Sequence, residues 1–588
     1  MSSNYQAPLR DMLFAMREIG GLDTLRTEAD AFDDDLVEAI LVEAARFSAD
    51  VLAPLNQVGD RQGCRWDDGR VSTADGFRPA FDAFREAGWF AMPAPQQWGG
   101  QLAPTLLNTA VLEMWKASNL AFSLCQMLTL GAVEALRRHA DADLCRRYLP
   151  AMVAGRWTGT MNLTEPQAGS DLAAIRSRAV PDGDHFRITG TKIFITWGEH
   201  DMAENIVHLV LARLPDAAPG VKGISLFLCP KFLVNDDGSL GARNDLVCAS
   251  IEHKLGIHGS ATAVMSFGER DGAIGWLVGE PGQGLACMFT MMNHARLNVG
   301  LEGVAIAERA YQQARGYALE RVQGRTLGRA EGDASRTIIG HPDVRRLLLD
   351  MKSRTEAMRA LAYFVAGQMD RAHTGGDASA AALVELLIPV VKGWCTESAL
   401  GVTSAAVQVH GGMGYIEETG VAQHLRDARI TTIYEGTTAI QANDLVGRKV
   451  RRDGGETLRR LLATMRADAQ ALGTHQDALL QSIATALGRG IAELDRARTW
   501  LLAADEREAA AGAVAFLQLA GTVIAGWLMA RAADAATAQL PAAEDAFLQA
   551  KRSTALHYAL HVLPQAAAFA ESAVLGAQST LSLSDAQF

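Results

Sequence analysis

The sequence predicts a mostly helical α+β chain with an N-terminal helical domain, a middle β-barrel or sandwich, a C-terminal helical bundle and an extra helical domain at the C-terminus. Two changes of hydrophobic period carry this. Apolar residues recur at three- and four-residue intervals to about residue 155, alternate with a period of two to about 285, and resume the helical period to the C-terminus. A third observation is length: at about 100–200 residues per domain, 588 residues exceed what one core organises. The domains expected are 1–155, 156–285, 286–452 and 453–588.

In the first domain, Leu36, Ile40, Leu41, Ala44 and Phe47 share one helix face, and Leu130, Val133 and Leu136 repeat the spacing. The Gly/Pro/Gln segment Met92 to Pro104 breaks the helices. In the second domain, His185 to Thr196 and Asn205 to Leu214 alternate and are rich in β-branched residues, and Ile224 to Cys229 and Ala263 to Phe267 add short strands. Helical stripes return in Val304, Ala307, Ala310 and Leu347, Leu348, Met351, separated by a polar loop, Leu327 to His341, that reads as an insertion. Beyond Arg452-Asp453-Gly454-Gly455, an Ala/Leu-rich stretch predicts the last helical domain.

Composition narrows the function. Lys and Arg number 55 against 67 Asp and Glu, a net charge of −12, which argues against nucleic-acid binding as the main activity. The seven cysteines stand singly with no CxxC, so neither a disulfide framework nor a zinc site is expected and a reducing compartment fits. The N-terminal apolar run, Met12 to Met16, is too short for a signal peptide. We therefore expect a cytoplasmic protein whose mature form begins near Met1. Residues 509–530 are uncharged over a length that could cross a bilayer, yet Ala and Gly dominate and Gln518 and Thr522 interrupt them. A helix buried in a bundle or a subunit interface explains the segment better than peripheral membrane contact.

Four stretches can carry chemistry. Thr164-Glu165-Pro166-Gln167-Ala168-Gly169-Ser170-Asp171 offers hydroxyls and closely spaced N–H groups able to wrap polar ligand atoms, or is a plain connecting loop. Gly190 to Thr196 places Phe194 and Thr196 on one face of a strand, where an aromatic and a hydroxyl could flank a flat ring, or simply pack. Val407 to Tyr415 is a glycine cluster that admits close backbone approach or ends a helix; it is not a Rossmann fingerprint. Arg426 to Thr438 holds Glu435 on a short turn before a helix start, with Thr438 and Gln441 at capping-box spacing. Desolvation there would raise the pKa of Glu435; an exposed turn glutamate is the alternative.

In this order, TEPQAGSD, GTKIFITWG, KLGIHGS (Lys254 to Ser260), YALERVQGR (Tyr317 to Arg325), QVHGGMGY and RDARITTIYEGTT resemble the motifs of the acyl-CoA dehydrogenase family over about residues 30–450. Tyr5-Gln6-Ala7-Pro8-Leu9-Arg10-Asp11, the insertion after Gly328 and the C-terminal extension resemble its longer bacterial branch, which handles fatty acyl-CoA or 3-(methylthio)propionyl-CoA.

The resemblance implies FAD-dependent α,β-dehydrogenation of an acyl-CoA thioester, electrons passing to an electron-transfer flavoprotein, with no metal. It implies Glu435 as base, the thioester carbonyl being held by the base's own N–H. Some relatives carry the base on the helix containing Asn293-His294-Ala295-Arg296, which here has no carboxylate. Leu163, Thr164, Ser170, Phe194, Thr196 and Thr437 would contact FAD. Arg321 and Gln323 would reach its pyrophosphate and adenine side across a subunit interface, with Gln408, Gly411 and Gly412 of a neighbouring chain near the adenosine, in a homodimer or dimer of dimers. Ser170, Asn293, Arg296, Tyr434 and Gly436 would meet the acyl-CoA. His258, His294 and His410 are expected to be structural, and Trp197 either shields the flavin or is an ordinary buried Trp.

Two other readings stay open. One is an acyl-CoA oxidase that passes electrons to O2. The other is a flavin-containing relative that binds nucleic acid through its C-terminal domain, which the 12 Lys+Arg against 14 Asp+Glu in residues 451–588 disfavour.

Overall fold

The computed structural model describes residues 5–23, 32–325, 337–374, 376–540 and 545–588. Of the loop expected as an insertion, Leu327 to His341, residues 327–336 lie outside the described residues. The chain divides into two compact units: residues 1–45, 105–117 and 296–588, and residues 46–104 and 118–295.

The second unit combines helices with the β domain. Helix Phe77–Glu86 places Phe77, Phe81 and Phe84 on one buried face. Phe81 and Phe84 meet Phe90 edge-on at 5.5 and 5.3 Å, and Phe84 meets Phe122 at 5.8 Å, the geometry favoured by ring quadrupoles. This region is not purely helical, contrary to expectation. Arg65–Asp67 and Arg70–Ser72 form an antiparallel hairpin. Its turn residues Asp68 and Gly69 have φ of 44° and 78°, so the Asp-Gly pair makes the left-handed turn for which that dipeptide is suited.

The β domain is an eight-stranded mixed sheet. The twelve-residue strand His185–Thr196 pairs with Arg178–Asp182 and Ala273–Val278 through its first half and with Thr262–Phe267 through its second. Ala273–Val278 pairs with Ile224–Pro230, which pairs with Asn205–Arg213. The single pair Arg178 with Arg213 completes the circuit. A small barrel results, extended by Leu246–Ile251 at one end and by Trp157–Asn162, parallel to Asn205–Arg213, at the other. Asn205–Arg213 and Ile224–Pro230 are buried almost throughout, so the alternation expected for Asn205 to Leu214 is not seen: both faces of these strands are covered.

The first unit is helical. Within Asp34–Phe47, Leu41, Ala44 and Phe47 of the expected face are buried and Val37 joins them, whereas Leu36, at the start of the expected stripe, is 41% exposed. The long helices Pro342–Thr374, Ala378–His410 and Ala513–Gln539 pack together. The last contains most of the uncharged segment. Its most apolar window is 83% buried, against helices of the same unit. The small residues have a steric cause: a Cβ on Gly521 would lie 2.2 Å from Trp394 Cγ, and one on Gly393 would lie 2.7 Å from Leu517 Cδ1. The two helices approach too closely for larger side chains.

A buried ionic cluster joins the start of the chain to its end. Arg359, fully buried, donates to Asp11 (2.6 Å), Glu113 (2.6 Å) and Glu308 (2.7 Å). Lys551 donates to Asp11 and Glu356, both at 2.7 Å, and Tyr363 donates to Glu113 at 2.8 Å. Burial opposes ionisation of Asp11, yet Lys551 and Arg359 hold its carboxyl well below the usual range.

Two outcomes follow for stability. Replacing Arg359 by Met leaves three buried carboxylates facing one another and should cost about 3–5 kcal/mol, read as a lower midpoint in urea unfolding. Gly521→Val forces a branched side chain into Trp394 and should cost about 1–3 kcal/mol, read by the same measurement, whereas Gly521→Ala should cost less.

Candidate active site

In the second unit, loop 163–171 lies against the strand His185–Thr196. Glu165 sits beneath the loop and accepts from Lys192 Nζ (2.8 Å), Ser177 Oγ (2.6 Å), and the backbone N–H of Arg176 (2.6 Å) and Ser177 (3.0 Å). Lys192 Nζ also donates to the Leu163 carbonyl at 3.1 Å, and the Ile193 N–H to that of Thr164 at 3.0 Å. Burial opposes the Glu165 charge, but Lys192 and these donors hold its carboxyl down at about 2; burial lowers Lys192 to about 8. The pair is the polar anchor of the loop. Sequence reasoning passed over it, although a Glu in one motif and a Lys in the next is the signal.

The strand does not alternate regularly. Ile195 pairs with Ala263 and Lys192 with Met265, so the strand carries one residue more than its partner between these pairs, a β-bulge. Phe194 there has φ of 61° and Trp197 has 55°, a costly conformation for side chains of this size. The bulge lets Lys192 and Ile195, three residues apart, both be buried, while Phe194 is 59% exposed. Thr196 and Thr164 are half-buried and Ser170 exposed, and their hydroxyls have no hydrogen-bond partner among the described residues. An exposed aromatic on strained backbone, with free hydroxyls nearby, suits a flat heteroaromatic ligand such as a flavin. Trp197, by contrast, is 1% exposed and donates Nε1–H to the Ala121 carbonyl at 3.1 Å, which makes it structural.

In the first unit, Glu435 lies on the turn between the 3-10 segment Arg429–Thr432 and helix Thr438–Asn443. The N-cap of that helix is Thr437, whose Oγ1 accepts the Ile440 N–H at 3.3 Å; Thr438 instead donates its hydroxyl to Glu397 at 2.6 Å. The expected Thr438–Gln441 capping box is therefore absent, because Gln441 is used elsewhere. Its amide donates to the carbonyls of Glu435 (3.0 Å) and Gly436 (3.3 Å), and Lys392 Nζ donates to the Gly436 carbonyl at 2.6 Å. These bonds clamp two successive left-handed residues, Glu435 at φ 55° and Gly436 at 87°. Neither the Glu435 carboxyl nor its backbone N–H has a hydrogen-bond partner among the described residues.

Charged groups surround this turn. Arg296 is buried and donates to Asp444 at 3.0 Å, and Arg448 donates to the other Asp444 oxygen at 2.8 Å. Glu302 accepts from Lys116 Nζ at 3.2 Å and from the Tyr434 hydroxyl. Glu302 lies on the same long helix as Arg296 and escaped sequence reasoning, as did Lys116 and Lys392; lone charges in otherwise apolar helix runs were the available sign. Desolvation raises the Glu435 pKa, with Glu302 adding to the rise and Arg296 and Lys392 only partly opposing it. Burial lowers Lys392 to about 8 despite Glu435 and Glu302.

The remaining candidates are placed as follows. Asn293 is within helix Gly284–Glu320, but its side chain lies outside the described residues. Arg321, Gln323, Gln408, Gly411 and Gly412 are exposed. They flank an apolar surface in which Leu319, Val322, Met413, Tyr415 and Ile416 are 43%, 49%, 49%, 87% and 45% exposed. Tyr317 stacks on His410 with centroids 4.4 Å apart, tying the two segments together. His258 bridges the carbonyls of Asp60 and Lys254, a structural role.

Known proteins match this chain domain by domain. Models of the acyl-CoA dehydrogenase N-terminal, middle and C-terminal domains match residues 35–156, 160–269 and 282–450, and one described as acetyl-CoA dehydrogenase C-terminal like matches 461–584. The 3-methylmercaptopropionyl-CoA dehydrogenase of Ruegeria pomeroyi is 48% identical over 578 residues, covering 96% of this chain and 97% of that protein. The broad-specificity linear acyl-CoA dehydrogenase FadE5 of Mycobacterium tuberculosis is 35% identical, with 96% of each chain covered. Caenorhabditis elegans ACDH-11, solved with C11-CoA, shares the fold at 21% identity and a TM-score of 0.75, covering 95% of this chain and 92% of that one. Four collinear domain matches and a 48% identical relative aligned nearly end to end establish that this chain belongs to the acyl-CoA dehydrogenase family of FAD-dependent oxidoreductases.

Proposed function

We propose that Glu435 is the base that removes the α-proton of an acyl-CoA thioester, giving the trans-2-enoyl-CoA. The observation that carries this reading is a desolvated carboxyl with no hydrogen-bonded partner, on a clamped turn between two cations. A base needs a pKa high enough to accept a proton from a weak carbon acid, and a carboxylate buried from water with no hydrogen-bonded partner supplies it. Glu302, held by Lys116 and Tyr434, and Asp444, held by two arginines, are already saturated. The unpaired N–H of Glu435 is available to the thioester carbonyl, where it would stabilise the developing enolate oxygen.

FAD, when bound, supplies the hydride acceptor for Cβ. We assign its contacts to Leu163, Thr164, Ser170, Phe194, Thr196 and Thr437, with Arg321, Gln323, Gln408, Gly411 and Gly412 serving the pyrophosphate and adenosine in a homodimer. The exposed apolar surface around the latter group supports a second chain covering it. Ser170, Asn293, Tyr434 and Gly436 are assigned to the acyl-CoA, and Arg296 to the charge balance of the base as well as to substrate. Electron-transfer flavoprotein is proposed as the acceptor. The 48% identical relative supports 3-(methylthio)propionyl-CoA as substrate, and the similarity to FadE5 supports straight-chain fatty acyl-CoA. Anaerobic bleaching of the flavin by a panel of thioesters ranks these, and hydrogen peroxide formed at every turnover without added acceptor would assign an oxidase instead.

Two outcomes test the base. Glu435→Gln should retain yellow flavin and acyl-CoA binding while slowing flavin bleaching about a thousandfold or more; bleaching at the wild-type rate would place the base elsewhere. Glu435 acts only when deprotonated, so its raised pKa puts the acidic limb of the reduction rate above the pH of an ordinary glutamate. Lys392→Met removes a cation that lowers that pKa, so the limb should move to still higher pH.

A further inference from the structure

The first unit contains a second concavity that the dehydrogenation does not use. It has a volume of about 550 Å³, within the range of small-molecule sites, and lies where Ala378–His410 begins, beside Pro342–Thr374, Glu456–Gly473 and Ala513–Gln539. Arg371, Arg460 and Arg531 line it, against one lining carboxylate, Asp468. Asp468 is occupied by the Trp527 Nε1–H at 2.7 Å.

The three guanidinium groups are not equivalent. Arg371 is paired with Asp377 at 2.7 Å and Arg460 with Glu456 at 2.7 Å. Arg531 has no carboxylate or hydrogen-bond partner among the described residues and lies over the Trp527 ring, 5.4 Å from its centroid. A second polar group shares this state. Gln368 lines the cavity and is 8% exposed, yet its amide makes no hydrogen bond among the described residues. A buried amide left unpaired is costly unless a ligand or water completes it. Phe364, Leu383, Leu461 and the Ala378 and Ala380 methyls supply an apolar wall.

We propose that this cavity binds a free medium-chain fatty carboxylate. Arg531 is the one lining guanidinium with no carboxylate partner among the described residues, and its fork matches a carboxylate, while the negative charge of Asp468 in the same lining disfavours a phosphate dianion. The Gln368 amide provides a second donor, and the apolar wall takes the alkyl chain. None of the lining residues belongs to the turn that carries Glu435, so the site is separate from it.

Calorimetric titration of the FAD-loaded enzyme with sodium octanoate tests this. One site per chain is expected, with the visible flavin spectrum unchanged and inorganic phosphate binding more weakly. Arg531→Met should weaken octanoate binding roughly ten- to a hundredfold, the loss of a charge-assisted hydrogen bond, with flavin bleaching by acyl-CoA preserved. Gln368→Leu should weaken it less and provides the reading if Arg531→Met unfolds. The proposal is overturned if octanoate does not bind, if phosphate binds as tightly, if binding shifts the flavin spectrum, or if folded variants bind it as the parent does.

Discussion

A carboxylate taken out of water must be given cations and hydrogen bonds, or it will hold its proton, and this constraint is met in two opposite ways in the helical unit. Around Arg359 it is met fully: Asp11, Glu113 and Glu308 share one guanidinium, and Lys551 adds a second charge to Asp11. Asp11 consequently stays ionised deep in the protein. At Glu435 it is met only in part. Arg296 and Lys392 act on it through space, but their hydrogen bonds go to Asp444 and to the Gly436 carbonyl. The same physics that makes one cluster a staple leaves the Glu435 carboxyl without a hydrogen-bonded partner among the described residues, the state on which its proposed role as base rests.

The same division between holding and exposing recurs in the backbone. Phe194 and Glu435 both adopt left-handed conformations that cost side-chain-bearing residues energy. Each is over-determined by neighbours that do no chemistry. Glu165 and Lys192 fix the strand and loop next to Phe194, and Gln441 with Lys392 fixes the carbonyls on either side of the Glu435–Gly436 peptide. Much of what makes these motifs recognisable is therefore anchoring, around an exposed aromatic ring, some hydroxyls and one carboxyl with its N–H that have no hydrogen-bond partner among the described residues.

The extra C-terminal helices are integrated by close packing and by charge. Gly521 and Gly393 allow helix approach at Trp394 and Leu517, and Lys551 reaches Asp11, 540 residues away in sequence. An uncharged Ala/Gly-rich stretch that could pass for a membrane span is, in this setting, the surface along which helices meet.

The sequence by itself determined the order of helical and β regions, because hydrophobic period is a local property of the chain, and it singled out Glu435, because motif residues are read in order without knowing their neighbours. The Asp68-Gly69 hairpin is likewise legible locally, since the dipeptide itself favours the left-handed turn. What the sequence could not supply were relations between distant residues: the bulge that separates Phe194 from Lys192, the capture of Gln441 by the turn before its helix, and the partners of Glu302, Arg296 and Lys392. Whether a buried charge is saturated or left reactive depends on which side chains converge on it from other elements. Only tertiary packing decides that, and here it decided which of several buried carboxylates has no hydrogen-bonded partner among the described residues.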